Sequence, residues 1–244
     1  MPLTPLILSP ALPSELLTYI IRRHECPTTL IVCSSQAEFL NSLLDDAQKS
    51  LPVAADDRQS PALTSLLSSP LSQVAVARHI RMLFVPTVSH LRACLSVFSA
   101  KDSKVPPPPV TSNSGRARTR PLLLVYGFLA THHDTSEWSA QGISSTAASL
   151  VEAARRVGFR AVVVDAPRAV VESEGGAGDG HVGSETERPT LSEEVPVLSA
   201  SARRAGAHLD NADWTGRTVT VARVLGRWFR YRQGDWAPAS QEQT

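Results

Sequence analysis

Aromatic residues, cysteines and net charge are all scarce in this sequence, and each shortage excludes a class of protein. Phe, Trp and Tyr make up 5% of the 244 residues, so the 42% that are hydrophobic indicate a core built from aliphatic side chains. The three cysteines are an odd number, and Cys33 and Cys94 lie in apolar segments, so we expect buried free thiols in a reducing compartment. Lys and Arg (24) balance Asp and Glu (23), so the overall charge favours neither nucleic acid nor an acidic partner.

Metal ligands and long apolar segments are also lacking. His24, Cys26 and Cys33 are close along the chain, but a fourth ligand at usable spacing is missing, so neither a metal site nor another cofactor is expected. The sequence begins without the basic region of a signal peptide, and its apolar runs are too short to span a membrane. These features favour a soluble intracellular protein.

The main pattern in the sequence is an alternation of apolar strands and amphipathic helices. Strand-forming runs are at residues 5–9, 28–35, 79–87, 122–126 and 159–167. Apolar residues at helical spacing predict helices at residues 15–23, 36–50, 88–100 and 144–158. This order predicts an α/β fold in which a mainly parallel sheet is covered by helices on both faces. Residues 216–238 show a period of two, which predicts a C-terminal antiparallel β-hairpin turning at Leu225 and Gly226.

A single domain at residues 1–236 accounts for this pattern, and a flexible tail follows at 237–244. Two stretches between the predicted elements are unsuited to a packed core. Residues 101–120 are rich in proline and polar residues, and residues 172–194 are acidic and rich in glycine, so we expect both to be disordered insertions. Residues 51–78 are rich in Ser, Pro and Leu and predict a loop with one short helix.

The residues that bind phosphate and magnesium in nucleotide-hydrolysing α/β proteins are missing from the carboxyl ends of the strands, where such a sheet binds ligands. A phosphate loop uses glycines, a lysine and a hydroxyl group. After the first strand this chain has Pro10 and Pro13 with neither glycine nor lysine, and Ser14 is predicted to cap the next helix. Tyr126 ends the fourth strand, where an acid would help to hold magnesium. Pro10, Pro13, Ser14 and Tyr126 therefore predict a degenerate nucleotide site without hydrolytic activity.

Other catalytic chemistry has few candidates. Asp165 is the one acid at the end of a predicted strand, and a structural role is the simpler interpretation. His132, His133 and Asp134 are expected on a solvated loop, because neighbouring histidines seldom converge on one metal ion. The G-x-S-x-G motif of serine hydrolases is missing. An α/β hydrolase or transferase that uses Asp165 and His132 stays open as an alternative hypothesis.

Basic and aromatic residues are concentrated in the last part of the chain. Guanidinium groups bind phosphates and aromatic rings stack on bases, so this composition predicts contact with nucleic acid. The candidate arginines are Arg203, Arg204, Arg217, Arg223, Arg227 and Arg230. The aromatic residues among them are Trp214, Trp228, Phe229, Tyr231 and Trp236. The alternative is that the aromatic rings pack the predicted hairpin onto the sheet while the arginines face solvent.

The order of elements resembles the RecA-fold ATPase core of recombinase paralogues. "PLILSPALPSELLTYII" (5–21) stands at the strand, Walker A loop and helix of that family, and "RPLLLVYGFLA" (120–130) stands at its Walker B strand. "GFRAVVVDAP" (158–167) resembles the next strand, and "GRTVTVARVLGRWFRYRQGDW" (216–236) looks like the closing antiparallel hairpin. The resemblance implies a RecA-like three-layer fold. Because both Walker positions have lost their chemistry, it implies a pseudo-ATPase and not an enzyme.

Two kinds of RecA-fold protein without ATP chemistry would suit this chain. Small recombinase paralogues of the Shu type pair with a sister RecA-like subunit, bind DNA and support recombinase filaments in homologous recombination, which takes place in the nucleus. RecA-like subunits of the Elongator complex form a ring that serves wobble-uridine modification of transfer RNA. The arginines and the predicted closing hairpin favour the first kind. The expectation is a non-catalytic subunit of a DNA-repair complex, with a sister subunit, a recombinase and DNA as partners.

Overall fold

The computed structural model describes residues 3–23, 27–49, 71–99, 101, 121–167, 190–198 and 217–236. Some sequence predictions concern other parts of the chain. The predictions outside the described residues are those for Arg203, Arg204, Trp214, the tail at 237–244 and most of the insertions at 101–120 and 172–194. Of the segment 51–78, residues 71–78 are described, and they include one short helix.

Six strands form one parallel sheet, and two more form a separate antiparallel pair. The sheet strands are β1 (Leu6–Leu8), β2 (Thr28–Val32), β3 (Ile80–Phe84), β4 (Leu122–Tyr126), β5 (Arg160–Val164) and β8 (Arg230–Arg232). The antiparallel pair consists of β6 (Glu194–Pro196) and β7 (Thr218–Thr220). The helices of the described residues are α1 (Pro13–Arg23), α2 (Gln36–Lys49), α3 (Leu71–Ala77), α4 (Val88–Val97), α5 (Ala140–Val157) and α6 (Val221–Leu225).

The strand order in the sheet is β3-β2-β4-β5-β1-β8, and every neighbouring pair is parallel. β2 and β4 lie inside the sheet and are buried along their whole length. In register, Leu124 of β4 lies between Leu30 of β2 and Val162 of β5. Strands that are covered on both faces have continuous apolar runs, which is why these strands stand out in the sequence.

The two faces of the sheet carry different helices. Leu123 of β4 belongs to a core that includes Leu91 of α4 and Leu150 of α5, whereas its neighbour Leu124 belongs to a second core with Leu16 of α1. α6 lies on the first face beside α5, and α2 lies on the second face beside α1. The predicted α/β fold, a three-layer arrangement with helices on both faces of a mainly parallel sheet, is confirmed.

Local sequence determines where helix α5 begins and ends. It ends where the sequence predicts, at Gly158, whose φ of +75° lies in the left-handed region that favours glycine. It begins at Ala140, four residues before the predicted start, because Ser139 caps it by accepting a hydrogen bond from Gly142 N at 3.0 Å. This longer helix covers β4 and β5 from one side.

The C-terminal antiparallel pair lies in a different place from the predicted hairpin. It joins β6 to β7, and the predicted turn at Leu225 and Gly226 is instead the end of α6. Val221, Val224 and Leu225 are buried at the i, i+3, i+4 spacing of a helix. The hairpin prediction was wrong here because the residues on either side of this short helix alternate with a period of two. β8 then pairs with β1 in parallel and forms an edge of the sheet.

Candidate functional site

The carboxyl ends of β1, β4 and β5 meet at one edge of the sheet. β5 lies between β1 and β4, so a single strand separates the loop after β1 from the end of β4. The neighbouring strands β2 and β4 continue into α2 and α5, which lie on opposite faces. Divergence of this kind leaves a crevice at the strand ends, where open α/β sheets bind their ligands.

The segment at residues 9–14 follows β1 and includes the first two residues of α1; we name it the loop after β1, and hydrogen bonds tie it to the neighbouring strands. Ser9 N donates to the carbonyl oxygen of Arg232 at 3.2 Å, and Ala11 N donates to the carbonyl oxygen of Asp165 at 3.0 Å. The two prolines in the loop have no N–H group. Hydrogen bonds therefore hold this loop to the ends of β5 and β8, and Ser9 N and Ala11 N are not available as the backbone donors of a phosphate cradle.

Two carboxylates occupy the N-terminus of α1, the helix end that favours an anion. Leu12 N donates to Oε2 of Glu15 at 2.8 Å, and Ser14 N donates to Oδ2 of Asp46 at 3.1 Å. Asp46 reaches this point from α2 and is buried. The remaining N–H groups of the loop are thus taken by the chain's own carboxylates. A phosphate at this place would meet negative charges instead of donors.

Glu15 caps α1, whereas the sequence analysis predicted Ser14 as the cap. The helix begins at Pro13, whose fixed φ suits the first helical position, so Ser14 lies inside the first turn. Glu15 reaches back to Leu12 N in the manner of the acid in a capping box. A glutamate three residues after the capping position is the sequence signal that could have identified this arrangement.

Tyr126 stands at the end of β4, where the sequence analysis expected a lost magnesium ligand. Its side chain is buried, and its hydroxyl donates to the carbonyl oxygen of Ala11 at 3.0 Å. Phe39 of α2 packs edge-on against the ring, with the two ring centroids 6.0 Å apart. The tyrosine therefore connects β4 to the loop after β1 and holds that loop closed.

Asp165, at the end of β5, joins the loops after β1 and β4. Its Oδ1 accepts a hydrogen bond from Leu129 N at 2.9 Å, and Ala130 N also bonds to the carboxylate. Its carbonyl oxygen accepts from Ala11 N. Burial raises the pKa of this carboxyl to about 6, although the two backbone N–H groups act in the opposite direction. The contacts of Asp165 with two loops agree with the structural interpretation of this residue.

A cleft of about 180 Å³ opens beside Asp165 at the ends of β2, β4 and β5, and we name it the strand-end cleft. Its lining includes Cys33, Glu38, Phe39, Tyr126 and Asp165. Burial, reinforced by the charge of Asp165, raises the pKa of the Cys33 thiol, so the thiol stays protonated and is a weak nucleophile.

His132 is buried, which corrects the prediction of a solvated loop. Its Nδ1 lies 2.8 Å from the carbonyl oxygen of Phe128, and its Nε2 lies 2.9 Å from Oγ1 of Thr146. Burial lowers the pKa of His132 to about 4, so the ring is neutral at pH 7. His132 is not among the described residues that line the strand-end cleft, so the structure does not bring it together with Asp165 there.

The candidate nucleic-acid residues are divided between two places. Arg217, Arg223 and Arg227 line one cleft beside α6, and Arg230 is exposed on the edge strand β8. The aromatic residues mostly pack inward, as in the alternative interpretation. Phe229 is buried, Trp228 donates through Nε1 to Ser144 Oγ at 3.0 Å, and Trp236 packs edge-on against Tyr19. Tyr231 is exposed.

Asp46 is the functional-site residue that sequence reasoning missed. It lies 32 residues from Ser14, the residue whose N–H it accepts, and no local pattern links the two positions. The contact exists because α1 and α2 pack side by side on one face of the sheet. A carboxylate in the middle of an amphipathic helix has the same sequence signature whether it is solvated or caps a neighbouring helix.

Metal-binding groups and membrane-spanning helices are both missing from the described part of the chain. Within those residues, no three His, Cys, Asp or Glu side chains form a group that could hold a metal ion. No helix among them is both long and apolar enough to cross a membrane.

Comparison with known proteins gives distant structural neighbours among solved structures. No protein-family model matches the sequence, and no curated protein matches it. Among solved structures, the chain is similar to a DnaB-like replicative helicase, whose structure was described with its interactions with primase. The TM-score is 0.37 at 13% sequence identity, and the match covers 70% of this chain and 41% of the helicase chain. This chain therefore spans less than half of the helicase chain that it matches.

Proposed function

We propose that this protein is a non-catalytic, RecA-like subunit of a DNA-repair complex. In this role it pairs with a sister RecA-like subunit, contacts DNA and supports recombinase filaments during homologous recombination in the nucleus. The observation that carries the proposal is the closed loop after β1. Its N–H groups bond to the chain itself, and Glu15 and Asp46 occupy the helix end that would otherwise attract phosphate.

Retention of the fold without the phosphate cradle favours a role in assembly. The sheet and its helices account for the buried core, and Tyr126 and Asp165 add hydrogen bonds that hold the loops at the strand ends. A fold by itself does not determine function, so the argument depends on this site and on the surface. A loop after β1 that cannot bind phosphate, together with a fully packed sheet and helices, is the combination expected of a pseudo-ATPase subunit.

An exposed apolar surface on α2 supports a protein partner. Leu40 and Leu44 lie one helical turn apart and are 44% and 60% exposed. Neighbouring exposed leucines on one helix favour burial against another protein. The exposed arginines on α6 and β8 support the second part of the proposal, because guanidinium groups bind the phosphates of DNA.

Native purification followed by mass spectrometry of the bound proteins tests the proposal. We expect a second RecA-like subunit and recombination proteins, and we expect their loss from a Leu40→Ser, Leu44→Ser variant. Val97→Ser is the matched control, because Val97 is also an exposed apolar residue on a helix but lies on α4. Recovery of transfer-RNA modification factors without recombination proteins would contradict the proposal and support the Elongator-type role.

A thermal-shift measurement with ATP and magnesium tests the pseudo-ATPase part. A ligand that binds only the folded state and is present at a concentration of about 100 times its Kd stabilises that state by about 2.7 kcal/mol, which is easily detected. We expect an unchanged melting temperature at millimolar ATP in an Arg223→Ala, Arg227→Ala variant, which lacks the exposed arginines beside α6 that could bind a nucleotide independently of this loop. A clear upward shift in this variant would contradict the interpretation of the closed loop.

A further inference from the structure

A second cleft lies between the first turns of α5, the β6–β7 pair and α6, and it shares no described lining residue with the strand-end cleft. Its volume is about 480 Å³, within the roughly 300–1,000 Å³ that is usual for small-ligand sites. The described residues that line it include Ser144, Val197, Arg217, Val219, Arg223 and Arg227. We name it the arginine cleft.

The charge of the arginine cleft has one sign. Arg217, Arg223 and Arg227 contribute three guanidinium groups, and no acidic side chain is among the described residues that line it. The acid nearest to it in the β6–β7 pair is Glu194, whose Oε2 accepts a hydrogen bond from the Thr218 hydroxyl at 2.6 Å. Arginines that converge on one concave surface are typical of sites that bind phosphate groups.

The cleft also has apolar walls that are held in place. Val197, Val219 and Val224 line it together with Ala140 at the start of α5. α5 is fixed against the segment that follows β6 by Gln141 N, which donates to the carbonyl oxygen of Val197 at 3.1 Å. A site with both arginines and an apolar wall suits a ligand that combines phosphate with a flat ring.

We propose that the arginine cleft binds a nucleoside phosphate unit, with the base against the valines and the phosphate between the arginines. This inference deepens the proposed function and rests on its DNA contact, because the unit would be one nucleotide of a single DNA strand. A free nucleotide has the same chemistry, so the experiment includes both sources. The cleft is separate from the closed loop after β1, since α1 and that loop contribute no residue to its described lining.

Fluorescence anisotropy with a labelled single-stranded oligonucleotide tests the inference at several salt concentrations, and a labelled ADP provides the second probe. We compare the wild-type chain with an Arg223→Ala, Arg227→Ala variant. The matched control is an Arg78→Ala, Arg155→Ala variant, which removes the same charge from exposed positions that do not line the cleft. All four positions are exposed, so both variants are expected to keep the fold.

The cleft variant should bind the oligonucleotide at least about tenfold more weakly, and the slope of log affinity against log salt should decrease by about two. The control variant should stay within about threefold of the wild-type chain. Binding of ADP alone with the same dependence on Arg223 and Arg227 would support the cleft and identify a free nucleotide as its ligand.

Equal weakening by both variants, weakening by the control variant alone, or no binding of either probe to the wild-type chain would overturn the inference. The proposed function has a separate test, because a normal set of recombination partners in the cleft variant would leave the proposed assembly role standing. If the wild-type protein instead purifies without recombination partners, the proposed function is contradicted, whereas any binding measured in the cleft still supports the inference.

Discussion

At the residue scale, side chains near the carboxyl ends of the strands hold the loops of this protein together. Tyr126 bonds to Ala11, and Asp46 bonds to the first turn of α1. Both contacts are made to the loop after β1, which is where a nucleotide-hydrolysing α/β protein would bind phosphate. Stability should therefore depend on residues that would serve catalysis in a nucleotide-hydrolysing protein.

Tyr126→Phe should lower the free energy of unfolding by about 1–2 kcal/mol, because it leaves a buried carbonyl oxygen without its hydroxyl donor. Urea unfolding followed by circular dichroism measures the change. Tyr231→Phe is the matched control, since that ring is 59% exposed and its hydroxyl is replaced on the surface. Similar losses in the two variants would show that the contact with Ala11 is unimportant.

Asp165 gives stability a measurable dependence on pH. Its folded pKa is about 6 against an ordinary value of 3.8, so the folded state holds the proton more tightly than the unfolded state. The contribution of Asp165 is therefore greatest below pH 4 and is lost as pH rises through 6, by up to about 3 kcal/mol. His132, with its pKa lowered to about 4, acts in the opposite direction and loses its contribution as pH falls from about 6.5.

An Asp165→Asn variant separates the effect of Asp165 on the pH dependence of stability from that of His132. The amide retains an oxygen that can accept the bond from Leu129 N but does not ionise. Relative to the wild-type protein, the variant should gain stability as pH rises from 4 to 7. Chemical denaturation across this pH range measures the difference, in which the titration of His132 cancels. A difference that is constant with pH would disprove the raised pKa.

At the element scale, the ends of the helices determine where the layers meet the sheet. Gly158 ends α5 in a left-handed conformation and leads directly into Phe159 and β5. Pro13 and Glu15 determine where α1 begins, and Ser139 determines where α5 begins. These signals are local in sequence, so each can be tested by one substitution.

Gly158→Ala should lower the free energy of unfolding by about 1 kcal/mol, because an L side chain is strained at a φ of +75°. No atom lies within 4 Å of the added methyl group, so the loss has a conformational cause and not a steric one. Gly158→Asn should lose less, since asparagine tolerates this conformation better than alanine. Thermal unfolding of the two variants gives the comparison, and a greater loss with asparagine would contradict it.

At the scale of the whole molecule, the sequence predicts the layers well and their loop contacts poorly. Runs such as that of β4 are continuous because both faces are buried, and this signal is local. The burial of His132 and the contact of Asp46 with Ser14 arise from packing between distant elements, so no local pattern predicts them. α6 was hidden because five residues are too few for a helical period to stand out from alternation.

The place of β1 in the sheet has a consequence for synthesis of the chain. β1 lies between β5 and β8, so both of its neighbours are translated long after it. Until residues 230–232 leave the ribosome, one edge of β1 has no partner strand within the chain. Pairings over such sequence distances form slowly and leave apolar segments open to aggregation. A newly made chain would therefore depend on chaperones until β8 has paired with β1.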